Sequence, residues 1–107
     1  MFIRYDLLEL IDFFGKEPTY LYEEEAGVFM FSVENGEGFS LLFHVDTYAK
    51  KIHVEVTYGT SIVFSGVFAD VITIRRSERV LIVDLPDEKK LIIQKGETFG
   101  VVIEGTM

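Results

Sequence analysis

The sequence lacks cysteine and tryptophan and has only two prolines and two histidines. Without cysteine the chain cannot form a disulfide, a thiolate zinc site or a cysteine nucleophile. It contains no apolar run of the roughly 18 residues that would indicate a membrane-spanning helix. Asp6 interrupts any apolar segment that would begin a signal peptide. We therefore expect a cytoplasmic protein with no membrane partner.

Positive charge is also scarce. The chain has 10 basic and 18 acidic residues, and its net charge is −8. A protein this acidic, with a pI near 4.6, is poorly suited to bind nucleic acid or an anionic membrane directly. Arg75, Arg76 and Arg79 form one basic cluster, which is too small to reverse that conclusion.

What the sequence does contain is apolar bulk in a short chain. Its 107 residues are 49% hydrophobic and 26% charged, and ten of them are phenylalanine. This composition is typical of a folded globular domain, and the length fits one domain spanning residues 1–107.

An amphipathic helix is predicted over residues 3–14. Ile3, Leu7, Leu10 and Phe14 repeat at helical spacing, whereas acidic residues occupy the opposite face. Gly15 is a natural residue to end the helix in a left-handed conformation.

After the helix, alternating apolar residues and turn signals predict antiparallel strands between residues 28 and 104. The candidate strands are Val28–Val33, Phe39–Val45, Ile52–Tyr58, Ile62–Phe68, Val71–Arg75, Val80–Leu85, Leu91–Lys95 and Phe99–Glu104. Gly66 and the pair Ala69-Asp70 predict a bulge or a bend. The predicted fold is α+β, with one N-terminal helix packed on an antiparallel sheet of six or seven short strands.

The first two strands form a predicted hairpin around the Asn-Gly pair at positions 35 and 36. A three-residue loop over 35–37 would set Phe31 opposite Leu41 and Phe29 opposite Phe43. We prefer this register because a two-residue loop would oppose apolar residues to serine.

The net charge lies in one half of the sequence. Residues 1–47 hold ten acids and two bases, whereas residues 48–107 hold eight of each. Concentrated like charge costs stability through self-repulsion, so the acidic half has two interpretations. It is either a solubilising surface or a binding surface for a basic partner.

The candidate partner-binding residues are the exposed acids and tyrosines of this half. Three consecutive glutamates on an extended chain point to opposite sides, so they do not converge on one cation. Tyr20 and Tyr22 are two residues apart and would share a face, either in an interface or over the end of the core. The predicted set is Tyr20, Tyr22, Glu23, Glu24, Glu25, Glu34, Glu37, Asp46 and Tyr48.

The two histidines are the remaining candidates for chemistry. If the strands at 39–45 and 51–58 pair through a turn at 46–51, His44 faces His53 near Glu55. Such a pair could bind a metal or serve as a base, but it has no third confident ligand. We predict no catalytic residue, no metal site and no cofactor.

The N-terminal sequence resembles a family of immunity proteins from bacterial polymorphic toxin systems, including contact-dependent growth inhibition. The resemblance covers about the first 35 residues and rests on Phe14-Gly15, Pro18 and the aromatic and acidic segment Tyr20 to Glu25. Beyond them it rests on the strand pattern alone. The chain departs from the family where a His-Asp pair is usual and Leu21-Tyr22-Glu23 stands instead.

The resemblance implies a non-enzymatic, cytoplasmic inhibitor that binds and blocks the C-terminal toxin domain of its own system. Many such toxins are nucleases with basic grooves, which an acidic half-domain can occlude. Other functions stay open on the residues alone. They are a small-ligand or lipid-binding β-domain closed into a barrel, an enzyme using His44, His53 and Glu55, and an accessory subunit of an assembly. Oligomeric state is open too.

Overall fold

Two antiparallel sheets and one helix enclose a shared core in the computed structural model, which describes residues 2–96 and 99–105. The helix is α1 (Leu7–Phe14), and short 3-10 helices cover Glu24–Ala26 and Pro86–Glu88. The strands are β1 (Thr19–Tyr20), β2 (Val28–Glu34), β3 (Phe39–Asp46), β4 (Lys51–Tyr58), β5 (Ser61–Phe68), β6 (Thr73–Ser77), β7 (Val80–Asp84), β8 (Lys90–Lys95) and β9 (Phe99–Glu104).

The predicted α+β class with one helix and antiparallel strands is confirmed, but the single sheet of six or seven strands is wrong. Across the described residues, β1 to β5 form one sheet in sequence order and β6 to β9 form a second. The division falls after β5, where Asp70 adopts a φ of 56° and Val71 is buried with its N–H bonded to the carbonyl of Lys50. The chain thus leaves the first sheet at the bend that Ala69-Asp70 predicted.

The bulge in this region does not lie at Gly66. The register between β4 and β5 shifts between Val56 and Thr57, which leaves Val63 of β5 without an opposite residue. Gly66 instead lies closely between two rings, because a Cβ there would lie 3.1 Å from the ring of Phe68 and 3.2 Å from that of Phe64.

The helix is shorter than predicted at its start. Asp6 is extended and its carboxylate accepts a hydrogen bond from the N–H of Leu8, so the helix begins at Leu7 rather than at residue 3. Ile3 is nevertheless buried. Its N–H donates to the carbonyl of Thr47 at 3.0 Å, which fixes the extended segment before the helix against that turn. The predicted end is confirmed: Gly15 has a φ of 75° and donates to the carbonyl of Ile11.

The predicted hairpin register is wrong by two residues. Phe31 lies opposite Phe43 and not Leu41, because five residues, not three, separate the last paired residues of the hairpin, Glu34 and Ser40. The side chain of Asn35 accepts hydrogen bonds from the N–H groups of Glu37 and Phe39 and so holds the longer turn. A shift of two keeps every side chain on its predicted face, which is why the apolar residues of both strands are still buried.

Aromatic rings fill the centre of the core. The ring of Phe14 stacks on that of Phe31 with centroids 4.4 Å apart and lies 5.5 Å from that of Phe43. The other side of the core is formed by four apolar residues of the second sheet, Leu81, Val83, Leu91 and Ile93.

No helix among the described residues has the length and apolar character needed to cross a membrane.

An ion pair on the second sheet makes stability depend on pH. Arg75 lies 2.8 Å from a carboxylate oxygen of Asp84, and Thr73 also donates to that carboxylate. The hydrogen bond from Arg75 holds the pKa of Asp84 below its usual value, against the effect of partial burial. A lowered carboxyl pKa stabilises the folded state above the unfolded-state pKa, and that stabilisation disappears as pH falls through the folded-state pKa.

We therefore expect acid to destabilise the wild-type protein more than the variant Asp84→Asn. Urea unfolding of both proteins at pH about 6 and about 3, on either side of the ordinary aspartate pKa of about 3.9, measures the difference. Other carboxyl groups titrate equally in both proteins and cancel. If the two proteins lose the same unfolding free energy on acidification, the pair with Arg75 does not stabilise the fold.

Candidate functional site

The predicted partner-binding residues lie at opposite ends of the first sheet. Glu34 ends β2 and Glu37 lies in the turn before β3. The other acids lie around the start of β2 and the end of β3, since Asp46 pairs with Val28. Seven residue steps of about 3.3 Å place roughly 23 Å between the two ends of β3. The set therefore divides into two groups, a division not foreseen from sequence.

The larger group surrounds the turn between β3 and β4, and we name it the acidic–aromatic end. Its members are Tyr20, Tyr22, Glu23, Glu24, Glu25, Asp46 and Tyr48. All of them except Tyr20 and Asp46 are exposed.

Of the three glutamates only Glu23 is extended, whereas Glu24 and Glu25 lie in a helical turn, contrary to the sequence-based assumption. The N–H of Ala26 donates to the carbonyl of Glu23, and the N–H of Gly27 to that of Glu24, which forms the 3-10 helix Glu24–Ala26. Gly27 ends this helix with a φ of 69°, a conformation that glycine adopts without steric cost. Among the described residues, no group of three or more metal-ligating side chains is placed to hold a metal ion.

Thr47 fixes this helix to the turn between β3 and β4. Its hydroxyl donates to the carbonyl of Gly27 at 2.7 Å, and its N–H reaches the same oxygen at 3.0 Å. The hydroxyl is also 3.0 Å from that of Tyr5. Thr47 is the one buried polar side chain among the described residues, and its two hydrogen bonds to Gly27 hold the backbone of the segment that carries the glutamates.

The two tyrosines before the glutamates do not share a face, because β1 ends at Tyr20 and the chain bends beyond it. Tyr20 is half-buried, with its ring centroid 5.9 Å from that of Phe29, so it covers the end of the core. Burial raises the pKa of Tyr20, and a hydrogen bond and the negative charge of Glu24 raise it further. The hydroxyl therefore stays protonated and ties Glu24 to β1.

The exposed aromatic rings at this end are Tyr22, Tyr48 and Phe2, which are 71%, 61% and 54% exposed. Phe2 was missed from sequence. Its ring centroid lies 6.0 Å from that of Tyr48 in an edge contact, because the extended residues before the helix run beside the turn at Thr47. The predicted helix over residues 3–14 concealed that placement.

Asp46 has a structural role beside any role in binding. Its carboxylate accepts a hydrogen bond from the N–H of Ala49 at 3.2 Å and so caps the turn. It also lies opposite Lys51 in the sheet. These two neighbours offset its charge in part, so Glu23, Glu24 and Glu25 contribute most of the negative field of the acidic–aromatic end.

At the other end of the sheet, an open cavity of about 640 Å³ lies between the two sheets. Phe14 and Glu34 are among its lining residues, with Lys16 and Lys95. Lys16 donates to the carbonyl of Ser32, and Lys95 to that of Phe13, so both ammonium groups already have backbone partners. In the part of the chain that the structure describes, the strands form two separate sheets and not one closed barrel.

The predicted pairing of the two histidines is confirmed. His44 lies opposite His53, and Nε2 of His53 is 3.2 Å from the hydroxyl of Ser65 on the neighbouring strand. Both rings are on the outer face of the sheet, half-buried among its side chains.

Comparison with known proteins gives a structural relative. No family model matches the sequence, and no curated protein matches it. A chain of the contact-dependent growth inhibition toxin–immunity protein complex from Klebsiella pneumoniae 342 superposes with a TM-score of 0.82. The two sequences are 18% identical, and the match covers 97% of this chain and 98% of that one. The family resemblance drawn from the N-terminal residues is thus confirmed as a likeness of fold over nearly the whole chain.

Proposed function

We propose that this protein is a cytoplasmic, non-enzymatic immunity protein that binds and blocks the toxin domain of its own contact-dependent growth inhibition system. The observation that carries the proposal is the match to a chain of a toxin–immunity protein complex over 97% of the sequence. The residues that suggested the same family, from Phe14 to Glu25, lie on the helix end and the acidic–aromatic end of that fold.

We further propose that the toxin is a nuclease with a basic active-site groove, which the immunity protein occludes sterically and electrostatically. The net charge of −8 in the first 47 residues supports this choice. Carboxylates on a fixed backbone complement a phosphate-binding groove without the cost of ordering that backbone on binding. No turnover by the immunity protein is needed.

Within the predicted contact set, we assign the main contact to the acidic–aromatic end. Its exposed Tyr22 and Tyr48 supply apolar anchors beside the carboxylates, a combination common in energetically important interface positions. Glu34 and Glu37 would contribute only to a toxin that spans the roughly 23 Å length of β3.

Purification of the protein from its native host, with mass spectrometry of what stays bound at moderate salt, tests the proposal. The expected partner is a basic toxin domain encoded by a neighbouring gene. Loss of nuclease activity when the purified protein is added would confirm the inhibitory role. If that toxin neither co-purifies nor loses activity on mixing, the proposed function is wrong.

Charge reversal tests the assignment of the surface. We expect the double variant Glu24→Lys with Glu25→Lys to associate with the toxin at least about ten-fold more slowly at low salt and to show a weaker salt dependence, because long-range attraction sets the association rate. Stopped-flow measurement at several ionic strengths gives both quantities. The matched control reverses two acids at the other end, Glu34→Lys with Glu37→Lys, and changes net charge equally. An equal loss in the control would show that only overall charge matters.

A further inference from the structure

The edge strand β5 has an unusual composition for this chain. Its sequence, Ser61–Phe68, has eight residues and no charge, although 26% of the whole chain is charged. Natural sheets protect exposed edges with charges, proline, bulges or short strands, since an unprotected edge pairs with another chain. Of these devices β5 has only the bulge at Val63.

The other sheet edges in the described residues are protected to a greater extent. β1 has only two residues. Where β2 extends past β1, the ammonium group of Lys16 donates to the carbonyl of Ser32 and so occupies an edge acceptor. On β6, Arg4 pairs with Thr73 and the strand carries two arginines. β9 ends in Glu104. β5 is therefore the longest and the least charged of the edges.

Both faces of β5 are uncharged, mainly apolar and partly exposed, and the polar exceptions are Ser61 and Ser65. On the outer face, Val67 is 68% exposed, and Ile62 and Val63 near the bulge are 65% and 59% exposed. On the core face, Phe64 and Phe68 pack against the core but are only half-buried. A strand that continues this sheet must be neutral and apolar on both of its faces.

We propose that β5 pairs with β5 of a second copy of this chain, so that the protein is a dimer with a continuous ten-stranded sheet. β5 itself meets the requirement for the added strand, and the absence of charge lets two copies of a protein with a net charge of −8 approach at this edge. The bulge at Val63 leaves Phe64–Phe68 as a regular segment.

An antiparallel two-fold axis at Gly66 makes that segment self-complementary. Phe64 then lies opposite Phe68 of the second copy, and Ser65 opposite Val67 of the second copy. The phenylalanine side chains of the two copies extend the core across the axis, and the side chain of Val67 in each copy loses its exposure to solvent. The acidic–aromatic end remains free, because it surrounds the turn between β3 and β4 and not the β5 edge.

Sedimentation equilibrium of the purified protein over a range of concentrations tests this interface without any toxin. We expect a dimer for the wild type and at least a ten-fold higher dissociation constant for Val67→Lys, because the lysines of the two copies would lie diagonally across the axis and bring like charges together. The matched control is Val102→Lys, on the edge strand β9 of the other sheet, where valine is 45% exposed. We expect it to dimerise like the wild type.

Hydrogen exchange of the wild-type protein gives a second readout that needs no variant. Amides in residues 64–68 should become more protected as protein concentration rises, whereas those of β9 should not. A wild type that stays monomeric at about 100 μM would overturn the proposal, since that concentration corresponds to an association weaker than about 5.5 kcal/mol. Loss of the dimer in Val102→Lys but not in Val67→Lys would also overturn it, by placing the interface on β9.

Discussion

Replacing Phe31 by alanine is expected to lower the free energy of unfolding by about 3–5 kcal/mol, the usual range for removing a buried phenylalanine. Phe31 is fully buried, and its ring stacks on Phe14 with an interplanar angle of 15°. It also lies perpendicular to the ring of Phe29 at 5.9 Å. The loss is large because these partners come from the helix and from the sheet itself, so neither can move into the cavity without breaking other contacts.

Urea unfolding followed by circular dichroism measures this loss, with an unchanged slope showing that the transition remains two-state. The matched control is Ile62→Ala on the same sheet, where the side chain is 65% exposed and the expected change is within about 0.5 kcal/mol. If the proposed dimer forms, the comparison requires equal protein concentrations, because association adds to apparent stability. A loss below about 1.5 kcal/mol in Phe31→Ala would contradict the stacked arrangement of the core.

The sequence was sufficient to predict β2 to β9 and their buried faces, because period-two alternation is a local property, but the two-residue strand β1 (Thr19–Tyr20) was missed. It was not sufficient to assign strands to sheets. That assignment depends on where the chain turns away after β5, at Asp70, and on packing between residues distant in sequence. The hairpin register could not be settled either. Registers that differ by two residues bury the same side chains, so the hydrogen bonds of Asn35 decide between them.

The candidate site was predictable as a set of residue types but not as a surface. Counting charges along the sequence places Glu25 and Glu34 in one acidic half, yet β2 carries them to opposite ends of the sheet. Phe2 joins Tyr48 only because Asp6 caps the helix late and leaves the first residues extended. The pattern Asp6 followed by Glu9, with an acid at the cap and another three residues later, was the sequence signal for that start.

Replacing Gly27 by alanine is expected to destabilise the protein by about 2–5 kcal/mol. Gly27 has a φ of 69°, where a residue with a Cβ is strained by roughly 1–2 kcal/mol. The added carbon would also lie 2.9 Å from Cβ of Thr47 and 3.2 Å from the ring of Tyr48. Overpacking of this kind costs about 1–3 kcal/mol more.

The variant Gly36→Ala separates the cost of the positive φ from the cost of crowding against Thr47 and Tyr48. Gly36 also has a positive φ, of 81°, but no atom lies within 4 Å of the position that its Cβ would take. This variant should lose only the conformational part, about 1–2 kcal/mol. Urea unfolding of both variants under the same conditions gives the cost of crowding at Thr47 as the difference between them.

The two glycine variants also differ in what they disturb. The hydrogen bonds from Thr47 to the carbonyl of Gly27 join the 3-10 helix of the glutamates to the turn that carries Tyr48. A side chain at position 27 would push these two segments apart. If the proposed toxin contact is right, binding should therefore weaken in Gly27→Ala under conditions where the protein is still folded, and stay unchanged in Gly36→Ala. Equal losses of stability in the two variants would show that Thr47 moves aside without cost. The carboxylates would then lack the fixed backbone on which the proposed electrostatic complementarity depends.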